Sequence, residues 1–186
     1  MQSYNDSYKL ILAEVENACS KVEQEQVEQL VSAILSSRKV FLVGVGRVML
    51  SLMAFCKRLN HLGISAHCVG DINEPAITSD DLLIVGSGSG ETAFVVAIAK
   101  IAKKYGARVA HIGSNPQSTI ALITDVFVRI PVSTKLNLQG EIQSQQIMSS
   151  LFEQSLYVVC DSVCYMICKR NNIEIKSLWE FHANLE

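Results

Sequence analysis

Asp81-Leu-Leu-Ile-Val-Gly-Ser-Gly-Ser-Gly-Glu-Thr92 is the stretch from which the rest of the chain can be read. Residues 81–85 form a short, almost continuous apolar run of strand length, as a strand covered on both faces must be. The run breaks at Gly86 into glycines alternating with serines. The apolar spacing then predicts a helix over 92–105, ended by Gly106. A further strand follows at Val109–Ile112, so strand, glycine loop, helix and strand succeed one another.

The same alternation extends in both directions. Residues 5–36 read as two helical segments, with Leu10, Ile11, Val15 and Ala18, then Val27, Leu30, Val31 and Ile34, at helical spacing. Val40–Val43 is a strand ending in Gly44, and 47–62 a helix closed by Gly63. Ser65–Val69 is a strand, followed by a turn containing Pro75. Downstream lie a short helix near 118–123, a strand at Val126–Ile130, a polar loop over 132–144, a long helix over 146–170 and a tail. The expected architecture is α/β: a three-layer α/β/α sandwich around a five-stranded parallel sheet. Residues 1–186 are expected to form a single domain, with N-terminal helices over 5–36 and a core over 38–131. Ligands of such sheets bind beyond the carboxyl ends of the strands, where both glycine-rich loops fall.

A chain of 186 residues can bury a sizeable core. With 49% apolar and 18% charged residues, it is not a disordered sequence. Sixteen Lys and Arg against eighteen Asp and Glu leave a formal charge of −2. That balance lacks the basic excess of a general nucleic-acid binder and offers no polybasic segment to a membrane. The first residues carry no secretory pattern, and no stretch forms a charge-free membrane span. A soluble, cytoplasmic protein is expected, with neither nucleic acid nor membrane as a partner.

Six cysteines in such a protein read as reduced thiols. Cys160, Cys164 and Cys168 recur every four residues, along one helix face. The outer two lie roughly 12 Å apart at the helical rise, too far to share a metal ion. Their apolar neighbours Val158, Val159, Val163, Met166 and Ile167 make them small hydrophobes of a packed helix. Cys19, Cys56 and Cys68 are isolated. His61, His67, His111 and His182 show no His-Glu-x-x-His spacing. No metal is expected.

Two loops and one carboxylate carry chemistry. Val43-Gly-Val-Gly-Arg47 is a partial dinucleotide fingerprint, with Asp71 as a distant ribose acid. Met49 stands where the third glycine belongs, and Asp71 lies beyond the usual spacing of about 20 residues. Taken alone, the loop is a tight strand-to-helix turn. Gly86–Thr92 is far more specific. Its glycines let backbone N–H groups approach a ligand, Ser87, Ser89 and Thr92 add hydroxyls, and a helix N-terminus favours an anion. It lacks the Lys-Ser/Thr pair of a Walker A loop. Helix capping by Ser89 or Thr92 would explain one hydroxyl, not three. Arg47 reads as an anion ligand or a salt-bridge partner. Glu153 interrupts the apolar stretch Met148–Tyr157, so it reaches solvent, pairs with a cation, or is retained for proton transfer. Composition alone favours the first two, and Asp161 reads as a surface or structural carboxylate.

With these residues assembled, the chain resembles the sugar isomerase (SIS) domain family, which binds phosphorylated sugars. Ser87–Thr92, SGSGET, is similar to the hallmark of that family. The resemblance is closer to its 6-phospho-3-hexuloisomerase branch and covers essentially the whole chain. It includes Gly-x-Gly-Arg at 44–47, the helix end at Arg58–Gly63, Val69-Gly70 with Pro75, Ser150-Leu-Phe-Glu-Gln154 and the ending His182-Ala-Asn-Leu-Glu186.

The resemblance implies that Ser87, Ser89 and Thr92 hold the sugar phosphate, in a binding loop that also contains Gly88, Gly90 and Glu91. Gly46 and Arg47 would lie beside the sugar, and Glu153 would be the catalytic base. His182 would be an acid for ring opening or proton relay; its plainer reading is a surface histidine in a frayed tail. The implied reaction moves a carbonyl from C3 to C2 through a cis-enediolate, converting a 3-hexulose 6-phosphate into fructose 6-phosphate with no cofactor. A homotetramer with sites completed by neighbouring chains is also implied. The chain departs from the family pattern at Val48 and Met49, where Ser-Gly is usual, at Glu74 in place of Thr, and at Ile147 in place of Pro. Glu74 is expected to add negative charge near the phosphosugar. Two other classes compete: a phosphosugar-sensing module, against which Glu153 speaks, and a nicotinamide-dependent dehydrogenase, against which Met49 and the serine-rich loop speak.

Overall fold

The computed structural model describes residues 3–182, 184 and 185. Of the ending matched above, Ala183 and Glu186 lie outside the described residues, as do Met1 and Gln2. The helices are α1 (Tyr4–Cys19), α2 (Gln24–Leu35), α3 (Arg47–His61), α4 (Ala93–Lys104) and α5 (Ser150–Arg170). The strands are β1 (Val40–Val43), β2 (Ala66–Cys68), β3 (Leu82–Gly86), β4 (Arg108–Gly113) and β5 (Val126–Arg129). All neighbouring strands pair in parallel, in the order β2-β1-β3-β4-β5.

The continuous apolar strands are explained by two cores, one on each face. Alternate residues point to opposite sides of a sheet, and the register Val40↔Leu82 and Leu82↔Arg108 keeps that alternation aligned across strands. Val40, Leu42, Leu82, Ile84, Ala110 and Ile112 therefore join one cluster, with Leu52, Phe55 and Leu59 of α3 and the apolar face of α5. Phe41, Val43, Leu83, Val85 and Val109 join the other, under Val95, Ala99 and Ala102 of α4. Small side chains on α4 let that helix sit close to the sheet. The crossovers through α3 and α4 run on opposite faces, so the chain splits at the carboxyl ends of β1 and β3. A strand order that reverses between adjacent strands opens a crevice there.

The structure departs from expectation at the start of α5. The helix expected from 146 begins at Ser150. Glu14 of α1 accepts hydrogen bonds from Ser144 Oγ (2.6 Å), the Gln145 N–H (2.8 Å) and Gln146 Nε2 (3.1 Å). Met148 then takes a left-handed φ of 55°. A segment tied sideways to another helix and turned at Met148 cannot continue the α-helical ladder. The helix expected near 118–123 is reduced to a single 3-10 turn, Ala121–Ile123. The tail, in contrast, forms a 3-10 segment over Ile175–Phe181. By length and hydropathy α5 is able to cross a bilayer, but 56% of that window is buried inside the protein. Cys160, Cys164 and Cys168 lie in this buried face, and burial pushes the Cys164 thiol up to about 12.

Candidate active site

The loop after β3 remains laced to the end of β4. Ser87 N–H donates to Ile112 O (3.1 Å), and Gly88 O accepts from Ser114 N–H (2.9 Å). Ser87 Oγ accepts the Gly90 N–H at 3.1 Å, and Ser89 Oγ accepts the Glu91 N–H at 3.3 Å. Both hydroxyls are buried, and each is oriented by what it accepts while keeping its own proton to donate. Gly90 has φ +66°, and a Cβ there would fall 2.1 Å from Ser118 Oγ, so both conformation and space demand glycine. Thr92 occupies the N-cap position of α4 without making a side-chain capping bond. The first-turn N–H groups of α4 thus have neither an intrahelical carbonyl nor the Thr92 side chain.

His111 of β4, read in the sequence only for metal spacing, supports this loop from beneath. Its Nε2 lies 2.9 Å from Ser87 O. Burial lowers its pKa to about 4, against the opposing effect of that hydrogen bond. The ring is therefore neutral at neutral pH, with its proton on Nε2 and donated to the Ser87 carbonyl.

The loop forms one wall of a cleft of about 210 Å³. Ser87, Gly88, Ser89 and Thr92 face it, together with Val45 of the first glycine loop and Val48 of α3. Thr134 and Lys135 come from the loop after β5, and Ser149, Phe152 and Glu153 from the start of α5. Glu153 lies in the first turn of α5, with its side chain only 14% exposed. Arg47 Nε donates to Glu153 Oε2, and Ser51 Oγ donates to the Glu153 backbone carbonyl at 3.0 Å. The guanidinium and the backbone contact together fix where the carboxylate stands at the edge of the cleft. A carboxylate across a small cleft from a loop of hydroxyls and helix N-terminal N–H groups is an arrangement that can move a proton on an anionic ligand.

Other predicted residues fall elsewhere. Gly46, at φ +60°, is the N-cap of α3 and turns the chain towards Arg47. The Arg47 side chain lines the neighbouring groove with Leu12, Leu50 and Gln154, and meets the cleft only through Glu153. Glu91 turns away: its carboxylate accepts the Thr119 N–H and hydroxyl, each at 2.7 Å, and so clips the loop to the segment before the 3-10 turn. Glu74, expected to add negative charge near the ligand, is not on the lining of this cleft; its carboxylate accepts the Gly70 N–H at 2.7 Å. His182 lies at the opposite end of α3 from Arg47. It stacks on His61, with ring centroids 5.2 Å apart, and packs against Trp179. His61 ends the 15-residue helix that Arg47 begins, which places the two ends about 22 Å apart. Within one chain, His182 is not brought to Glu153.

The sequence reading missed Thr134, Lys135 and Ser149 on the lining, and Ser114 and Glu141 behind it. Topology holds the signal for the first two. They follow β5, which ends on the same sheet edge as β1 and β3.

The comparisons agree with this geometry. A SIS domain model matches residues 33–158. A Mycobacterium gastri protein named 3-hexulose-6-phosphate isomerase is 41% identical over 181 residues, covering 97% of this chain and 90% of its own length. A Bacillus subtilis protein of the same name is 38% identical, covering 95% of each chain. A crystal structure of a Methanococcus jannaschii protein, inferred to be a 3-hexulose-6-phosphate isomerase, superposes with a TM-score of 0.83 at 27% identity, covering 97% of this chain and 99% of that one. By family model, relatives and fold together, the chain belongs to the SIS domain family.

Proposed function

We propose that the protein is a phosphosugar isomerase that interconverts a 3-hexulose 6-phosphate and fructose 6-phosphate. The observation that carries this reading is the sharing of one small cleft by the Ser87–Thr92 loop and Glu153. The names of the relatives support the choice of sugar. In the proposed reaction, Ser87, Ser89, Thr92 and the amino end of α4 hold the phosphate. Glu153 removes the proton from the carbon next to the carbonyl, giving a cis-enediolate, and returns it to the neighbouring carbon. Arg47 orients the carboxylate through its Nε hydrogen bond to Oε2. The hydroxyls of Thr134 and Ser149 on the same wall are the donors for the developing oxyanion. The steps use no metal and no nicotinamide.

Two further elements belong to this reading. All six cysteines are free, in keeping with a cytoplasmic setting. Exposed apolar side chains on α3 and α5, among them Leu50, Met53, Tyr157 and Tyr165, support a homo-oligomer, proposed as a tetramer. Light scattering at micromolar concentration tests the latter, and an active monomer refutes it. The function itself is tested by supplying 3-hexulose 6-phosphate and reading fructose 6-phosphate formation in a coupled assay. Turnover supports the proposal. A thermal shift with fructose 6-phosphate but no turnover points instead to a sensing protein, and the absence of both responses overturns the reading altogether.

A further inference from the structure

We infer that Lys135 neutralises the phosphoryl group, carried on a loop that one buried hydrogen-bond brace ties to the Ser87–Thr92 loop. The inference rests on the phosphosugar reading of the cleft and begins from its charge. A phosphate ester carries roughly −1.5 to −2 at neutral pH, and the cleft already holds the Glu153 carboxylate. Arg47 is committed to Glu153 and lies outside the lining. Hydroxyls and a helix terminus supply dipoles rather than a full positive charge. Lys135 is the single cation on the lining and makes no ion pair with any described residue.

The loop that carries Lys135 is built against the anion loop. Ser114, just past β4, donates its N–H to Gly88 O at 2.9 Å. Its Oγ lies 2.7 Å from Val132 O and 2.8 Å from Glu141 Oε1. Glu141 is buried, and its Oε2 accepts the Leu138 N–H at 2.8 Å. Backbone bonds from Ser133 N–H to Ile142 O and from Ile142 N–H to Pro131 O close the base of the loop, each at 2.8 Å. Thr134 then packs onto the anion loop so closely that a Cβ at Gly88 would lie 2.9 Å from Thr134 Cγ2. One residue further, Lys135 stands on the wall shared with a second polar cleft lined by Ser133, Gln143, Ser144, Met148 and Ser149. Lys135 is thus held at the rim of the cleft by a loop that packs on the Ser87–Thr92 loop itself.

The test compares wild type, Lys135→Met and Lys135→Arg in turnover of 3-hexulose 6-phosphate and in binding of fructose 6-phosphate and inorganic phosphate by calorimetry. Loss of a charge-assisted contact is expected to weaken both ligands about 10- to 100-fold in Lys135→Met. KM should rise correspondingly while kcat stays within about threefold, since phosphate is held in ground and transition states alike. Lys135→Arg should recover most of the affinity. Unchanged binding in Lys135→Met overturns the assignment and leaves the isomerase reading intact if wild type turns over. Wild-type protein that binds phosphate through Lys135 without isomerising the sugar refutes the isomerase reading alone. Wild-type protein that binds neither ligand refutes both.

Discussion

Arg47, the first residue of α3, donates through Nε to Glu153 Oε2 in the first turn of α5, across 106 residues of sequence. This ion pair joins the first glycine loop to the helix that carries the proposed base. Glu153 therefore does not stand free in solvent within an apolar helix: it pairs with a cation at the edge of a cleft.

Glu153→Gln preserves shape and hydrogen bonding but cannot accept the proton. Its kcat should fall by roughly 10²–10⁴ with little change in KM. Solvent-deuterium exchange at the carbon next to the carbonyl gives the decisive reading. Exchange at the wild-type rate in the variant would place the base elsewhere.

Arg47→Met separates activity from stability. The Arg47 side chain is 65% exposed, and a pair of that kind contributes at most about 1 kcal/mol to folding. Denaturant midpoints should therefore move little. Misplacement of the carboxylate should lower kcat about 10- to 100-fold. A large stability loss with unchanged kcat would make Arg47 a structural residue only.

The double variant Ser87→Ala with Ser89→Ala removes two ligand donors and two acceptors that shape the loop, those of the Gly90 and Glu91 N–H groups. KM for the phosphosugar should rise by at least about tenfold, each charge-assisted bond contributing roughly 1.5–3 kcal/mol. An unchanged KM would remove this loop from phosphate binding.

His111 predicts an acid-side instability. Its folded pKa is lowered to about 4 by burial, below the unfolded value near 6.5. Between those values the unfolded state binds more protons, so stability is complete above about pH 6.5 and is lost as pH falls towards 4. The whole window amounts to on the order of 3 kcal/mol. Chemical denaturation from pH 7.5 to 4.5 should show this loss in wild type and a flatter profile in His111→Asn. The proton spectrum of the His111 ring should show it neutral at pH 5.5, and a charged ring there would refute the assignment.

The sequence by itself determined the sheet. Continuous apolar runs such as Val40–Val43 and Leu82–Val85 are intelligible only when both faces are covered, and the helices between them dictate parallel crossovers. The glycine loop at 86–92 was legible for the same local reason, since its glycine and hydroxyl spacing encodes close backbone approach. Only tertiary structure decided what each acidic or basic side chain does. The pairing of Arg47 with Glu153, the turning of Glu74 onto Gly70 and Glu91 onto Thr119, and the brace from Ser114 to Glu141 depend on which segments meet in space. Spacing alone favours no one of these partners. The late start of α5 has the same origin, because Glu14 reaches the 144–146 segment only after α1 packs against α5. Backbone patterns arise from short-range sterics and hydrophobic period, whereas long charged side chains take their partners from whatever the packed chain brings within a few ångströms.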